Sequence, residues 1–235
     1  MKKKALIFSP IMVSTTQKNM LLKSLDFWEQ MYEFDCWDLL EDSDKDHKIS
    51  ASDFYEKIWQ KLHPVLEEYS MLIGFSLGGV VLQQLFARLE HQTFKGPVLL
   101  FSTPSFVDST LKEKLNRVYE LNAAGKLQEA HEALLKPVVY PNPLPAFKVN
   151  EEDPYSKPIR LLHGLTRVLE ADSREILLTT SLHYCHFIGE NSDLVNTSNT
   201  IDGLHQNRII VPNSSMRVLE DNPNYCRAIM EKIII

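Results

Sequence analysis

The stretch Ile73-Gly74-Phe75-Ser76-Leu77-Gly78-Gly79-Val80-Val81 (IGFSLGGVV, residues 73–81) decides how this chain is read. An apolar run precedes it (YSMLIGF, 69–75) and a helical pattern follows over 77–91. Glycines two before and two after a serine suit a very tight strand-to-helix turn. Such a turn strains its central residue, and side chains at the flanking positions would collide. Gly79 lets the following helix approach closely. Ser76 then has two readings, an exposed nucleophile or only the small residue that the turn demands.

Outward from this turn, strand-like runs fall at 4–9, 34–38, 69–75, 97–103, 183–189 and 207–212. Helical patterns lie at 17–32, 52–67, 77–91, 158–170, 197–205 and 217–233. This alternation predicts a mostly parallel sheet of about six strands with helices on both faces, and its scarcely alternating apolar runs fit strands buried on both sides. A strand-elbow-helix in that setting predicts the α/β-hydrolase fold. Residues 105–157 break the rhythm with two helical stretches and a proline-rich passage, PVVYPNPLPAF. They are expected to form a helical lid inserted into a core of 1–104 and 158–235, because long insertions at this edge of a sheet commonly cover binding sites. The alternative is a helical decoration that serves packing alone.

The composition narrows the function. A net charge of −6 over 235 residues offers no basic stripe for nucleic acid. Cys36, Cys185 and Cys226 are odd in number and lie in apolar segments, which reads as reduced core thiols in a cytoplasmic protein. The start, MKKKALIFSP, is weighed as a signal peptide and read instead as a first strand, since Pro10 interrupts the apolar run. No run approaches the ~20 apolar residues of a membrane span. No cofactor and no metal is expected.

If Ser76 is a nucleophile, its acid and base should follow in the order serine, acid, histidine. Asp193 stands just past the run 183–189, with Leu194 and Val195 turning the chain. Its alternative is an Asx-turn or a helix cap, and Glu190 is a weaker substitute. The free N–H groups at the start of the helix after Ser76, that of Leu77 first, suit a developing oxyanion.

The segments IGFSLGGVV, VLLFSTPSF, HGLTRVLEADSREIL, GENSDLV and VPNSSMRVLEDNP together resemble the pimeloyl–acyl-carrier-protein methyl ester esterases of biotin synthesis, within the α/β-hydrolases. In that family the last segment carries the catalytic histidine. Here the equivalent position is Ser215, beside Ser214, and no histidine follows His205. The family's His-Gly after the first strand is Ser9-Pro10, so the resemblance assigns the second oxyanion donor to the backbone N–H of Ile11 or Met12. The family's glycine-rich loop is replaced by DLLEDSDKDHKIS (38–50), expected to be a solvated acidic loop. The resemblance implies a small acyl ester or thioester as substrate, with acyl carrier protein as a candidate partner. Lys112, Lys114, Arg117, Lys126 and Lys136 of the expected lid could meet such a carrier. Their alternative is a solvated helix face, since Glu113, Glu120 and Glu129 are interleaved with them.

Topology sorts the eight histidines. His63, His91, His183 and His205 fall at the edge opposite the strand carboxyl ends, and His186 is mid-strand. His47, His131 and His163 remain as candidate substitute bases, each also readable as a surface or packing residue. Two functions follow: a serine carboxylic ester or thioester hydrolase, or a hydrolase scaffold that binds an acyl ligand or a protein partner without turnover.

Overall fold

A computed structural model describes residues 2–92 and 94–234. Six strands, β1 (Lys3–Phe8), β2 (Tyr32–Trp37), β3 (Tyr69–Phe75), β4 (Val98–Phe101), β5 (Tyr184–Gly189) and β6 (Gln206–Val211), form one sheet in the order β2-β1-β3-β4-β5-β6. Every pairing is parallel. The chain winds outward in one direction from β1 to β2 and in the other from β3 to β6. The strand order therefore reverses between β1 and β3, and a crevice opens there above their carboxyl ends.

The helices are α1 (Thr15–Lys23), α2 (Ser43–Asp46), α3 (Ala51–Leu62), α4 (Leu77–His91), α5 (Ser109–Ala123), α6 (Leu127–Val139), α7 (Pro158–Glu170), α8 (Arg174–Thr179), α9 (Val218–Asp221) and α10 (Pro223–Ile234). Alternate residues of the central strands serve two cores. Leu6, Leu72 and Leu100 pack with Phe54 of α3 and with Val81, Leu82 and Leu85 of α4. Ile7, Ile73 and Leu99 pack on the other face with Trp28 and with Cys226 and Met230 of α10. Burial on both faces explains why these strands read as unbroken apolar runs. On the second face Phe75, Phe101 and Phe187 stack across β3, β4 and β5 with ring centroids 4.7 and 4.8 Å apart. No described helix is long and apolar enough to cross a membrane.

Four expectations are corrected. The helix expected over 17–32 ends at Lys23. Ser24 then bonds the carbonyl of Leu21, and a single tight turn, Asp26–Trp28, carries Trp28 beneath the sheet. The helix expected over 217–233 is split, because Pro223 offers no N–H and turns Asn222 out of helical geometry (φ −138°, ψ 65°). Residues 197–205 form no helix. Polar side chains there bond nearby backbone: Thr200 Oγ1 donates to the Asn196 carbonyl, and Asn199 Nδ2 to that of Leu194. Segment 38–50 is no solvated loop, since Leu39, Leu40 and Ser43 are buried. Arg160 of α7 grips it from inside, taking both carboxylate oxygens of Asp38 at 2.8 and 2.9 Å and the Leu40 carbonyl at 2.7 Å.

His186 lies inside β5, and its Nε2 accepts the Thr103 N–H at 3.1 Å. Burial, helped by the positive charge of Arg208, pushes its pKa down to about 3. The imidazole stays neutral when folded, but in the unfolded chain it takes a proton near its ordinary value of about 6.5. Stability is therefore unaffected above that value and is lost as pH falls from about 6.5 toward 3, by about 1.4 kcal/mol per pH unit for this one proton. Denaturant titrations from pH 7 to pH 4 should show this loss, and His186→Asn should flatten it.

Candidate functional site

Ser76 sits at the junction of β3 and α4 with φ 48° and ψ −112°, a conformation costly for any residue with a Cβ. Two observations show what imposes it. A Cβ on Gly78 would lie 2.0 Å from the Phe8 carbonyl oxygen, so the first turn of α4 rests on the end of β1. The Ser76 N–H is also tied at 3.0 Å to the Phe101 carbonyl of the neighbouring strand. Ser76 is partly exposed, its side chain makes no capping bond to α4, and it opens into the crevice at the strand reversal.

A cavity of about 150 Å³ lies there. Pro10, Ile11 and Met12 line it, as do Leu111, Leu115 and Leu134 from α5 and α6. The N–H groups of Leu77, Ile11 and Met12 have no acceptor among the described residues. Leu77 stands at the positive end of a 15-residue helix. The arrangement can polarise a carbonyl or hold an oxyanion.

The other expected site residues are brought near one another without meeting Ser76. The loop after β5 and the loop after β6 touch: a Cβ on Gly189 would lie 1.8 Å from the Ser215 carbonyl oxygen, and the Asn191 N–H bonds the Ser214 carbonyl at 2.9 Å. Ser215 is fully buried. Its N–H donates to Asp221 Oδ2 at 2.7 Å, and its Oγ accepts the Arg217 N–H at 3.0 Å. Asp193 is exposed and pairs with Lys114 of α5, whose Nζ lies 2.8 Å from Oδ1 and donates to the Asp193 carbonyl at 2.6 Å. Glu190 accepts the Asn213 N–H at 2.9 Å, which ties the same two loops. Neither Asp193 nor Ser215 lines the cavity, whereas Leu194, Val195 and Met216 do.

None of the three candidate bases lines the cavity either. His47 closes α2, with Nδ1 3.0 Å from the Ser43 carbonyl. His163 lies buried in α7 with its ring edge against Phe54 and Nδ1 3.1 Å from Ser43 Oγ, and burial lowers its pKa to about 4. His131 is buried in α6, which lowers its pKa as well. Among the described residues no group of three or more His, Cys, Asp or Glu side chains is placed to hold a metal ion.

Three cavity residues escaped the sequence reading. Ser102 follows β4 with φ 45°, and its Oγ donates to the Met216 carbonyl at 2.7 Å. Arg217 and Glu220 supply the charge at the cavity wall. The available signal was position: Ser102 follows an apolar strand at its carboxyl end, and Arg217 lies two residues past Ser215.

No protein-family model matches the chain, and no curated protein matches it in sequence. Solved structures do match. The α/β-hydrolase enzyme MGS-M2 from a Medee basin deep-sea metagenome library superposes with a TM-score of 0.74 at 11% identity, covering 99% of this chain and 89% of that one. An esterase from Exiguobacterium antarcticum gives 0.68 at 11% identity, covering 98% and 91%. The 2-hydroxy-6-oxo-6-phenylhexa-2,4-dienoate hydrolase of a Rhodococcus strain gives 0.70 at 14%, covering 99% and 90%. At these identities the likeness shows the fold alone, and this chain has the α/β-hydrolase fold.

The strain at Ser76 is measurable. Ser76→Gly releases it while loosening the unfolded chain, and the balance should raise stability by about 1 kcal/mol. An unchanged or lowered unfolding midpoint in urea would count against strain at this turn.

Proposed function

We propose that the protein is an acyl-ester site of the hydrolase kind: a small carboxylic ester or thioester places its acyl chain in the cavity and its carbonyl against Ser76. The observation that carries this reading is the strained Ser76 at the start of α4, opening into an apolar cavity beside unbonded N–H groups. Attack by Ser76 Oγ on the carbonyl would form an acyl-serine and release the alcohol or thiol together with the serine proton. Water would then free the carboxylic acid and restore the serine. The N–H groups of Leu77 and Ile11 would hold the oxyanion in both steps. On this reading α5 and α6 act as the lid over 105–157, a role supported by their leucines lining the cavity.

The weak element is proton transfer, because a serine hydroxyl without a base is a poor nucleophile at neutral pH. That supports a second reading, in which the cavity holds an acyl ligand without turnover. No histidine lines it, and Ser215 spends both its N–H and its Oγ on its own turn. In other serine hydrolases loss of the histidine costs about 10⁶ in rate, while oxyanion hole and binding alone retain about 10³ over water. Docking of acyl carrier protein would use Lys112, Arg117 and Lys136, which are exposed, more than Lys114 and Lys126, which pair with Asp193 and Glu129.

A fluorophosphonate probe separates the two readings. Covalent capture that disappears in Ser76→Ala supports the hydrolase, and no capture at high probe concentration supports the binder. Ser215→His is the converse test. In a variant that still melts cooperatively, hydrolysis of a short p-nitrophenyl ester should rise by about 10²-fold or more. No rise together with no probe capture would show that Ser76 and its N–H groups are not set for acyl transfer; no rise with capture intact would show that residue 215, buried outside the cavity, does not reach Ser76.

A further inference from the structure

The cavity wall carries one cation and one anion, Arg217 and Glu220, among otherwise apolar and uncharged polar side chains. We propose that Arg217 is the recognition group for a carboxylate, so that the ligand of this cavity is an acyl compound ending in a monoanionic carboxylate. The inference rests on the acyl-binding reading of the cavity and names which acyl compounds it takes.

Arg217 is presented by a turn with several anchors. Its N–H is held by Ser215 Oγ at 3.0 Å, and the preceding Met216 carbonyl is held by Ser102 Oγ at 2.7 Å. Asp221 Oδ2 fixes the Ser215 N–H at 2.7 Å, and Asp221 Oδ1 accepts from Asn142 Nδ2 at 3.0 Å, just past α6. At the position where a base is expected, the serine thus anchors the backbone of Arg217, a residue of the cavity wall.

That guanidinium is under-used. Its Nη1 donates to Glu220 Oε2 at 3.1 Å, and its Nε and Nη2 have no acceptor among the described residues. A guanidinium carries five N–H donors in a planar fork, and a carboxylate takes two of them at once. Its pairing with Glu220 joins residues three apart on one turn, an interaction that contributes only a few tenths of a kcal/mol. An incoming carboxylate can therefore displace or share it at small cost. Glu220 also selects among anions, because its negative charge beside the fork opposes a dianionic phosphate more than a monoanionic carboxylate. Around the pair, Met216, Val218 and Leu219 line the same wall and lower the local polarity, which strengthens a charge-assisted bond.

The test compares octanoate with octanamide, which has the same chain and an uncharged head, by isothermal titration calorimetry. The wild type should bind octanoate about tenfold more tightly than octanamide, as expected for one charge-assisted pair at a half-wet site. In Arg217→Met this ratio should fall to near one, and in Glu220→Gln it should rise severalfold. Equal binding of the two ligands by the wild type, or a ratio that survives Arg217→Met, overturns the proposal and leaves the acyl cavity standing. Failure of both ligands to bind at millimolar concentration overturns the acyl cavity and this inference together.

Discussion

The contact between the first turn of α4 and the end of β1 is the constraint from which the site follows. With only a hydrogen at Gly78, the helix start can rest on the Phe8 carbonyl. That pulls the β3–α4 junction into the turn that strains Ser76 and faces its side chain toward the residues leaving β1. Because strand order reverses between β1 and β3, no strand-connecting segment fills the space above this contact. Ser76, the N–H groups of 11 and 12, and the positive end of α4 all border that space. A side chain at residue 78 would push them apart together.

Beyond the elbow, the fold keeps the approach of two loops while giving them other tasks. The ends of β5 and β6 are still drawn together, through Gly189 and the carbonyls of Ser214 and Ser215. Yet the polar atoms of these loops are engaged away from Ser76. Asp193 faces Lys114 of α5, a half-exposed pair worth little alone but backed by a second bond to the Asp193 carbonyl. Asp221 faces both Ser215 and Asn142. Both loops are thus bonded to segment 105–157, which also lines the cavity, and what they present to the cavity itself is mostly aliphatic.

The buried imidazoles show how local chemistry and location separate. His163 and His186 have the residue type that a base requires, but each is enclosed by packing that drives its pKa well below neutrality. His163 is spent against Ser43 and Phe54, and His186 on the Thr103 N–H that follows the sharp turn at Ser102. His186 serves as a neutral acceptor and His163 as a packing surface whose Nδ1–H donates to Ser43 Oγ, since that hydroxyl spends its own proton on the Leu40 carbonyl, and their enclosure makes acid a threat to the fold.

Sequence alone determined the strands and the tight turn between β3 and α4. Each rests on short-range physics: apolar runs long enough for a doubly buried strand, glycines two apart from a serine, helical periodicity after it. It also determined that no histidine follows His205, which is a matter of counting. It did not determine where segment 38–50 goes, because Arg160 reaches it from more than a hundred residues away. The loss of helix in 197–205 was equally hidden, since periodicity does not show side chains bonding their own backbone. Only the tertiary structure decided which side chains border Ser76. Asp193 lies close in the expected order, yet Lys114 from a separate helix engages it. Arg217 borders the cavity because Ser102, Ser215, Asp221 and Asn142, from four different segments, hold its turn in place. Contacts of that range are set by how the layers pack, and no local pattern in the chain encodes them.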